Sequence, residues 1–453
     1  MTLLGIAWRS IRQRLLTSGL TALSLALGVA LVVATLVIGG VVRDAFASGA
    51  GLGYNLIVGA KGSPLQLVLN SVYLVSKPIE NISWSFYQEF LPATARADGR
   101  AGRFAGSVAT AVPICMGDYF KSFRVVGTNA TYFDRLSSGD GRPFAFAAGR
   151  NFRDDEFFGG VLGSTVAARL GLAVGDRFAP THGADDGLEH DPFVVTGILA
   201  RTDTPVDRGV YVNMEGFYLQ EGHAKPVADG EPGAAGSAAD NAEAPSESRD
   251  PTGRTDNGPN PPPLPFAQRE VTAILVETAS PAGMPAELLA MGLKTTINEG
   301  RDGQAAEPVR EIRTLLDLFV RPLELLLLLV TTLVVIVSAI GILVSMVGSS
   351  LERSRDVAVM RALGARRSHV LTAVLLEAVI LAVGGGLVGW LLGHGIVAAI
   401  GPLITTNAGV SAGFFSAAPA GELLLVPFLV VLAVVAALLP ALAAYRTDVA
   451  KWL

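Results

Sequence analysis

Cysteine is almost missing: Cys115 stands alone among 453 residues. That excludes a disulfide framework and any multi-cysteine zinc or iron–sulfur site. Charge is scarce too, with only 17% of residues Asp, Glu, Lys or Arg, against roughly 25% in ordinary soluble domains. Basic residues are outnumbered 35 to 40, a net charge of −5, which argues against a general nucleic-acid binder. No Gly-x-x-x-x-Gly-Lys-Ser/Thr occurs, so no Walker A loop is present to cradle ATP phosphates; Gly59-Ala60-Lys61-Gly62-Ser63 lacks the spacing. No His-Glu-x-x-His occurs, and the five histidines (His182, His190, His223, His369, His394) are scattered along the chain. Asp185, Asp186, Glu189, His190 and Asp191 could attract a cation, but a solvated acidic loop is the plainer reading and no metal site is expected. Cys115 reads as a buried apolar residue rather than a nucleophile. With no catalytic set in view, the chain is not expected to be an enzyme.

What is abundant is apolar sequence: 50% of residues are hydrophobic and the mean hydropathy is +0.46. It lies in four runs. Residues 17–42 hold 26 without a charge, 325–351 hold 27, 378–404 hold 27 interrupted only by His394, and 423–445 hold 23. About 20 apolar residues suffice to cross the hydrocarbon core as a helix, and backbone groups in lipid must be paired within the segment. The first run is too long for a cleaved signal, so it reads as an uncleaved anchor. Cleavage is the alternative.

Lys and Arg set the orientation. Arg9, Arg12 and Arg14 precede the first run; Arg353, Arg355, Arg361, Arg366 and Arg367 sit between the second and third; Arg446 and Lys451 follow the fourth. All three groups fall on one side, so both termini are expected in the cytoplasm. Residues 43–322 then lie outside, with 25 basic and 34 acidic residues, a net of −9. The predicted organisation is an amphipathic cytoplasmic helix at 1–16, a first span at 17–42, an α+β domain at 43–307, a stalk and second span at 308–350, a cytoplasmic loop at 351–367, a third span at 368–404, an outer loop at 405–421, a fourth span at 422–445 and a tail at 446–453. The fold class is thus a four-helix membrane unit with a large α+β domain inserted after the first span.

In the helix before the first span, Leu4, Ala7, Trp8, Ile11 and Leu15 recur at helical spacing opposite the arginines, which suits a helix lying on the membrane face. A short unstructured basic flank is the alternative. In the outer domain, 56–58, 123–126, 193–198 and 271–276 read as strands, and 85–97 and 162–170 as helices. The apolar stretch 54–73 is either core or a contact surface. Residues 225–265, rich in Pro, Gly, Ala, Ser and Asp, read as a disordered insert. The periodic 309–319 leads into the second span as one long helix kinked at Pro322, or as two helices broken at Arg321-Pro322.

Small residues recur every four positions at Gly385, Gly389 and Gly393, and at Gly341, Ser345 and Ser349. That spacing lets helix backbones approach closely, within one chain or between two. Glu377 is an ionisable residue in the third span, either functional, or reaching back to the cytoplasmic interface or pairing with a nearby arginine.

The most specific segment runs Leu351-Glu352-Arg353-Ser354-Arg355-Asp356-Val357-Ala358-Val359-Met360-Arg361-Ala362-Leu363-Gly364-Ala365, with Glu377, Gly384-Gly385-Gly386 and Gly389 downstream. It resembles the signature of FtsX/MacB-type ABC transporter permeases (type VII membrane subunits): Glu-Arg-x-Arg-Glu-Ile, then Leu-Arg-Ala-x-Gly-Ala, then a Glu and glycines. Asp356 replaces the usual Glu and Met360 the usual Leu. The outer domain resembles that family's periplasmic domain through Gly149-Arg150, Val161-Leu162-Gly163, Leu172-x-x-Gly175-Asp176 and Val194-x-x-Gly197-Ile198. The resemblance covers nearly the whole chain outside 225–265.

The resemblance implies a coupling helix around 356–363 seated on two copies of a separate cytosolic ATPase subunit, which would bind the ATP and Mg; this chain would need no cofactor. Arg353, Arg355 and Arg361 would meet polar acceptors there, and Val357, Val359 and Met360 would give apolar contact. It further implies a bacterial inner-membrane protein, a homodimer or a heterodimer with a paralogous permease, and a periplasmic adaptor or chaperone. The work would be mechanical, on lipoprotein, lipid, peptide or amphipathic drug substrates. The alternative is a non-transporting FtsX-like regulator that senses a periplasmic peptide or activates a cell-wall hydrolase.

Overall fold

The computed structural model describes residues 2–49, 52–139, 141–182, 189–223, 260–280, 285–352, 366–408 and 422–445. They fall into two units, one of residues 1–44 and 316–453, the other of residues 45–315. The sequence-predicted insert at 225–265 lies outside the described residues except for 260–265, as do the loop 353–365, most of the outer loop at 405–421 and the tail at 446–453.

In the first unit, α1 (Leu3–Gln13) is capped by the Thr2 hydroxyl, which accepts from the Gly5 amide. It leads into α2 (Leu15–Gly49). Among the described residues, three stretches are long and apolar enough to cross a membrane: Leu15–Arg43, Pro308–Gly348 and Arg367–Pro402; Pro427–Leu442 is a shorter apolar helical stretch. The core of this unit is a stripe on α2, Leu25, Val29, Val33, Val37 and Val41, packed with Met346, Ala378, Ala382, Val397, Leu429, Ala433 and Ala437. Around it Leu23, Leu27, Leu326, Leu333, Val337, Leu387, Val431 and Leu439 point outward and exposed. So wide an apolar exterior would be unstable in water but suits lipid, where the backbone is already paired within the helices.

The second unit is an α+β body. Its strands are β1 (Leu56–Gly59), β2 (Ile82–Ser83), β3 (Val108–Phe120), β4 (Phe123–Thr128), β5 (Ser137–Ser138), β6 (Arg142–Pro143), β7 (Phe146–Gly149), β8 (Gly159–Leu162), β9 (Arg177–Phe178), β10 (Thr181–His182), β11 (Phe193–Leu199), β12 (Val210–Asn213), β13 (Glu270–Val271), β14 (Ala273–Thr278) and β15 (Gln304–Ala306). Eleven form one sheet in the order β15-β1-β14-β3-β4-β12-β8-β11-β7, with β10 beside β3 and β9 beside β11. Most pairs are antiparallel, but β4–β12 and β8–β11 are parallel. Each needs a crossover connection: α6 (Ser164–Leu170) lies between β8 and β11, and the longer path from β4 to β12 begins with α5 (Thr131–Arg135) and takes in β5 to β11. The unit also holds α3 (Pro64–Ser71), α4 (Trp84–Gln88), α7 (Met214–Tyr218) and α8 (Ala286–Glu299).

Several sequence expectations change in detail. The helix expected over 85–97 is a short turn at Trp84–Gln88 and a 3₁₀ turn at Ala93–Ala95; Pro92 disfavours helical backbone at Leu91 and stops it. In 162–170 the helix begins only at Ser164, because Leu162 ends β8. Within 54–73, Leu56, Ile57, Val58, Leu67 and Val68 are buried, so the stretch is core. Ahead of the second apolar run come a helix at Pro308–Leu315, a single π-helical turn at Leu316–Val320 and then the helix Arg321–Glu352. The departure from α geometry thus falls one turn before Pro322 rather than at it.

Two of the glycines that carry the resemblance are explained by contact. Gly149 has φ +68°, and a Cβ there would lie 2.2 Å from the Thr196 carbonyl; one on Gly197 would lie 2.3 Å from the Arg150 carbonyl. Both let β7 and β11 meet closely, so this motif builds scaffold.

Candidate functional site

Four places in the chain gather chemistry. The first is the helical unit. We label the helix Arg321–Glu352 α10, following α9 (Pro308–Leu315), and the last two α11 (Arg367–Ala408) and α12 (Glu422–Tyr445). A Cβ on Gly385 would come within 2.8 Å of the Ala22 carbonyl, on Gly389 within 2.4 Å of the Ala26 carbonyl, and on Gly393 within 2.8 Å of Val33 Cβ. The α11 glycines therefore sit directly against α2 of the same chain. Gly341 is exposed and meets nothing nearby, and Ser345 is placed in α10 by its backbone alone. The contact between α2 and α10 is made instead by Ser24 and Ser338, whose hydroxyls lie 3.2 Å apart, and by Gly28 against Val334.

Glu377 is buried in α11 and accepts a 2.5 Å hydrogen bond from the Ser10 hydroxyl of α1. Ala7, Ser10 and Ile11 are the buried residues of α1, while Trp8 stays half exposed. Sequence reading missed a second polar contact. The fully buried His394 of α11 lies 3.1 Å from Glu422 at the start of α12, and Trp390 donates to the same carboxylate at 3.4 Å. Arg43 of α2 pairs with Glu324 of α10 at 2.9 Å. Gly39 makes room for it, since a Cβ there would strike the Glu324 carboxylate.

The second place is the arginine-rich segment. Arg353, Arg355, Asp356, Val357, Val359, Met360, Arg361, Ala362, Gly364 and Ala365 lie outside the described residues, and Glu352 closes α10.

The third is a cavity of ≈ 550 Å³ in the α+β unit, walled by Trp84, Tyr87, Leu91, Phe266 and Arg269 among others. The Arg269 guanidinium makes two parallel bonds to the Glu215 carboxylate, at 2.7 and 2.9 Å, and lies over the rings of Trp84 and Phe266. Its charge is thus already matched, and the wall it offers is flat and aromatic. Nearby, Cys115 is buried and donates to the Tyr218 hydroxyl. Burial pushes its thiol up to about 12, so it is inert as a nucleophile.

The fourth corrects the picture of scattered histidines. Asp118, His182, His190 and His223 converge, each offering one ligand atom within 4.8 Å of all the others. Asp118 stands where the β3–β4 register shifts, at a bulge between Met116 and Tyr119, a device that re-aims a side chain. His182 is its direct partner across the β10–β3 pair. His190 follows the bridge between Thr181 and Glu189. His223 is set by Gly222, with φ +84°, after α7. Gln220 ties two of these segments together: its carbonyl accepts from the Asp191 amide at 2.8 Å and its amide donates to the Asp191 carbonyl. Asp185 and Asp186, which the sequence offered as cation attractors, lie outside the described residues. The four side chains come from positions too far apart for any spacing motif. The one available signal was that three of the five histidines fall between 182 and 223.

Two family profiles match. The FtsX-like permease C-terminal profile covers residues 328–449, and the MacB-like periplasmic core domain covers residues 18–246, half the chain. The chain belongs to the FtsX/MacB family of ABC transporter permeases. Among curated relatives, the macrolide export ATP-binding/permease protein MacB of Bdellovibrio bacteriovorus is 27% identical over 154 residues, 33% of this chain and 24% of that protein. The protein of the same name from Chromobacterium violaceum is 34% identical over 116 residues, 25% and 18% of the two chains. An uncharacterized ABC transporter permease, YknZ of Bacillus subtilis, is 42% identical over 60 residues, 13% and 15%. The chain thus matches about a quarter or less of the length of these relatives. Membership of this FtsX/MacB family accounts for the large α+β unit, the long apolar helices and the arginine-rich segment between the second and third of them.

Proposed function

We propose that this chain is the membrane subunit of a MacB-like ABC transporter, in which a separate cytosolic ATPase drives movement of the periplasmic α+β unit. The observation that supports the reading is that the two family profiles cover the apolar helices and much of the α+β unit, with the arginine-rich segment 352–365 between the second and third apolar runs. Relatives named ATP-binding/permease proteins support an ATPase partner. The subunit works as a homodimer or beside a paralogous permease, on two ATPase copies, in a bacterial inner membrane. The helices α2, α10, α11 and α12 make four crossings, with the α+β unit inserted after the first. The arginine-bearing segments stay in the cytoplasm and so place both ends there.

In this reading Arg353, Arg355 and Arg361 hold polar acceptors on the ATPase, and Val357, Val359 and Met360 supply apolar contact. Closure of the ATPase dimer tilts α10 and α11. The contacts within the helical unit favour concerted tilting: α2 is joined to α11 through the glycine stripe, to α10 through Arg43–Glu324 and the serine pair, and α1 is joined to α11 through Ser10–Glu377. The substrate is an amphipathic molecule already outside the membrane: lipoprotein, lipid, peptide or drug. Described helices so poor in charge need no hydrophilic channel for such work.

The reading is tested by co-purification. Co-expressed with a candidate cytosolic ABC ATPase of the same organism, the wild-type chain retains that ATPase through affinity purification. Arg361→Glu and Ala362→Trp each lose at least nine-tenths of it while the permease still inserts. Full retention by both variants would remove the coupling assignment.

A further inference from the structure

We propose that Asp118, His182, His190 and His223 form a binding site for a divalent first-row transition ion of the zinc class, built into the α+β unit. Asp118 is wholly buried, and the side chains of His190 and His223 are each 5% exposed. Burying a carboxylate away from water requires a compensating charge or full hydrogen bonding. Hydrogen bonding alone does not supply it here. Asp118 Oδ2, His190 Nε2 and His223 Nδ1 are all buried without a hydrogen-bond partner, although the first two lie 3.4 Å apart. A cation between that oxygen and that nitrogen would satisfy both.

The distances fit one. Four ligands around zinc at bonds of about 2.0–2.1 Å stand about 3.3 Å apart along the tetrahedron's edges. Asp118 Oδ1 lies 3.4 Å from His182 Nδ1 and 3.1 Å from His223 Nε2, and Asp118 Oδ2 lies 3.4 Å from His190 Nε2. The ligand atoms, all within 4.8 Å of one another, close by at most about 1.5 Å to reach that edge length, and the half-exposed His182 has freedom to move.

The donor set names the class of ion. Three imidazoles and one carboxylate suit zinc and its borderline neighbours; magnesium and calcium take oxygen ligands. Four protein ligands fill a tetrahedral shell, which marks a structural site rather than a catalytic one with an open position. Such an ion would clamp the β3 bulge, β10, the segment after Glu189 and the turn after α7. The hydrogen bonds of Gln220 to both sides of Asp191 already hold two of these in place.

The experiment uses the full chain in detergent, purified through a tag without histidine and stripped with EDTA. Zinc is titrated against a chromogenic chelator. The wild type takes up one ion per chain, and zinc raises its melting temperature. Asp118→Asn and His190→Ala abolish uptake. His182→Ala keeps the metal-free melting temperature, because its side chain is half in solvent, but binds zinc at least tenfold more weakly. His369→Ala, in the other unit, binds as the wild type does. Cobalt in place of zinc gives the visible absorption of a four-coordinate site. The proposal is overturned if the stripped wild type takes up no zinc, if His182→Ala and Asp118→Asn bind it undiminished, or if millimolar magnesium or calcium displaces it.

Discussion

At the scale of single residues, chemistry in this chain depends on what each polar group meets once buried. Glu156 shows the sign of such an effect. It accepts two parallel bonds from Arg150, at 2.8 and 2.5 Å, and one from the Arg153 amide. The Arg150 bonds, ahead of the backbone one, hold its carboxyl below the ordinary glutamate range. A carboxyl whose pKa is lower folded than unfolded adds stability above its unfolded pKa and loses it as pH falls through the folded one. Arg150 is half exposed, so solvent screening limits the gain to about 0.5–1 kcal/mol. Melting curves of wild type and Glu156→Gln should therefore differ by that much near pH 7 and converge by about pH 3. A gap independent of pH would show that the ion pair contributes nothing. Legibility at this scale was uneven. Cys115 reads from the sequence as the inert apolar residue it is. The partners of His394 and Asp118 did not read, because Glu422 lies on another helix and the three histidines on three other segments. Spacing along the chain carries no information about such meetings.

At the scale of elements, periodicity served well where one environment prevails. The strand around Leu56 is a continuous apolar run buried on both faces, those around Phe123 and Ala273 are buried along almost their whole length, and the one around Phe193 alternates between buried and half-buried positions. The long helices carry uncharged runs such as 17–42 and 325–351. It failed where local backbone chemistry competes, as at Pro92. The glycine stripe of α11 shows what pattern alone leaves open: spacing calls for a close helix contact, but only the fold assigns α2 as the neighbour. A prediction follows from the same geometry. Gly389→Ala puts a methyl 2.4 Å from the Ala26 carbonyl, a backbone atom that cannot swing aside, and should cost about 1–3 kcal/mol as overpacking does. Gly384→Ala and Gly395→Ala, with nothing within 4 Å, should leave the melting temperature of the detergent-solubilised chain unchanged or slightly raised, since alanine favours helix. Equal loss at Gly384 and Gly389, or no loss at either, would mean that the α2 contact does not govern this stripe.

At the scale of the whole molecule, the scarcity of charge resolves into two populations. Apolar helices with exposed leucines form one unit, and an ordinary charged α+β body forms the other, with a family profile matching each part. The architecture was legible because a bilayer imposes length and composition on whatever crosses it. The zinc-class site was not, because nothing at that scale requires it. The functional account rests on sidedness: arginine-rich segments in the cytoplasm, the α+β unit outside. One measurement addresses this directly, and the buried state of the only native cysteine, Cys115, makes it clean. Val75→Cys, at a residue 71% exposed, and Arg361→Cys are each treated in spheroplasts with a thiol reagent that cannot cross the inner membrane. The account predicts labelling at position 75 in intact spheroplasts and at position 361 only after the membrane is opened. Labelling of position 361 from outside, with position 75 protected until permeabilisation, would contradict it.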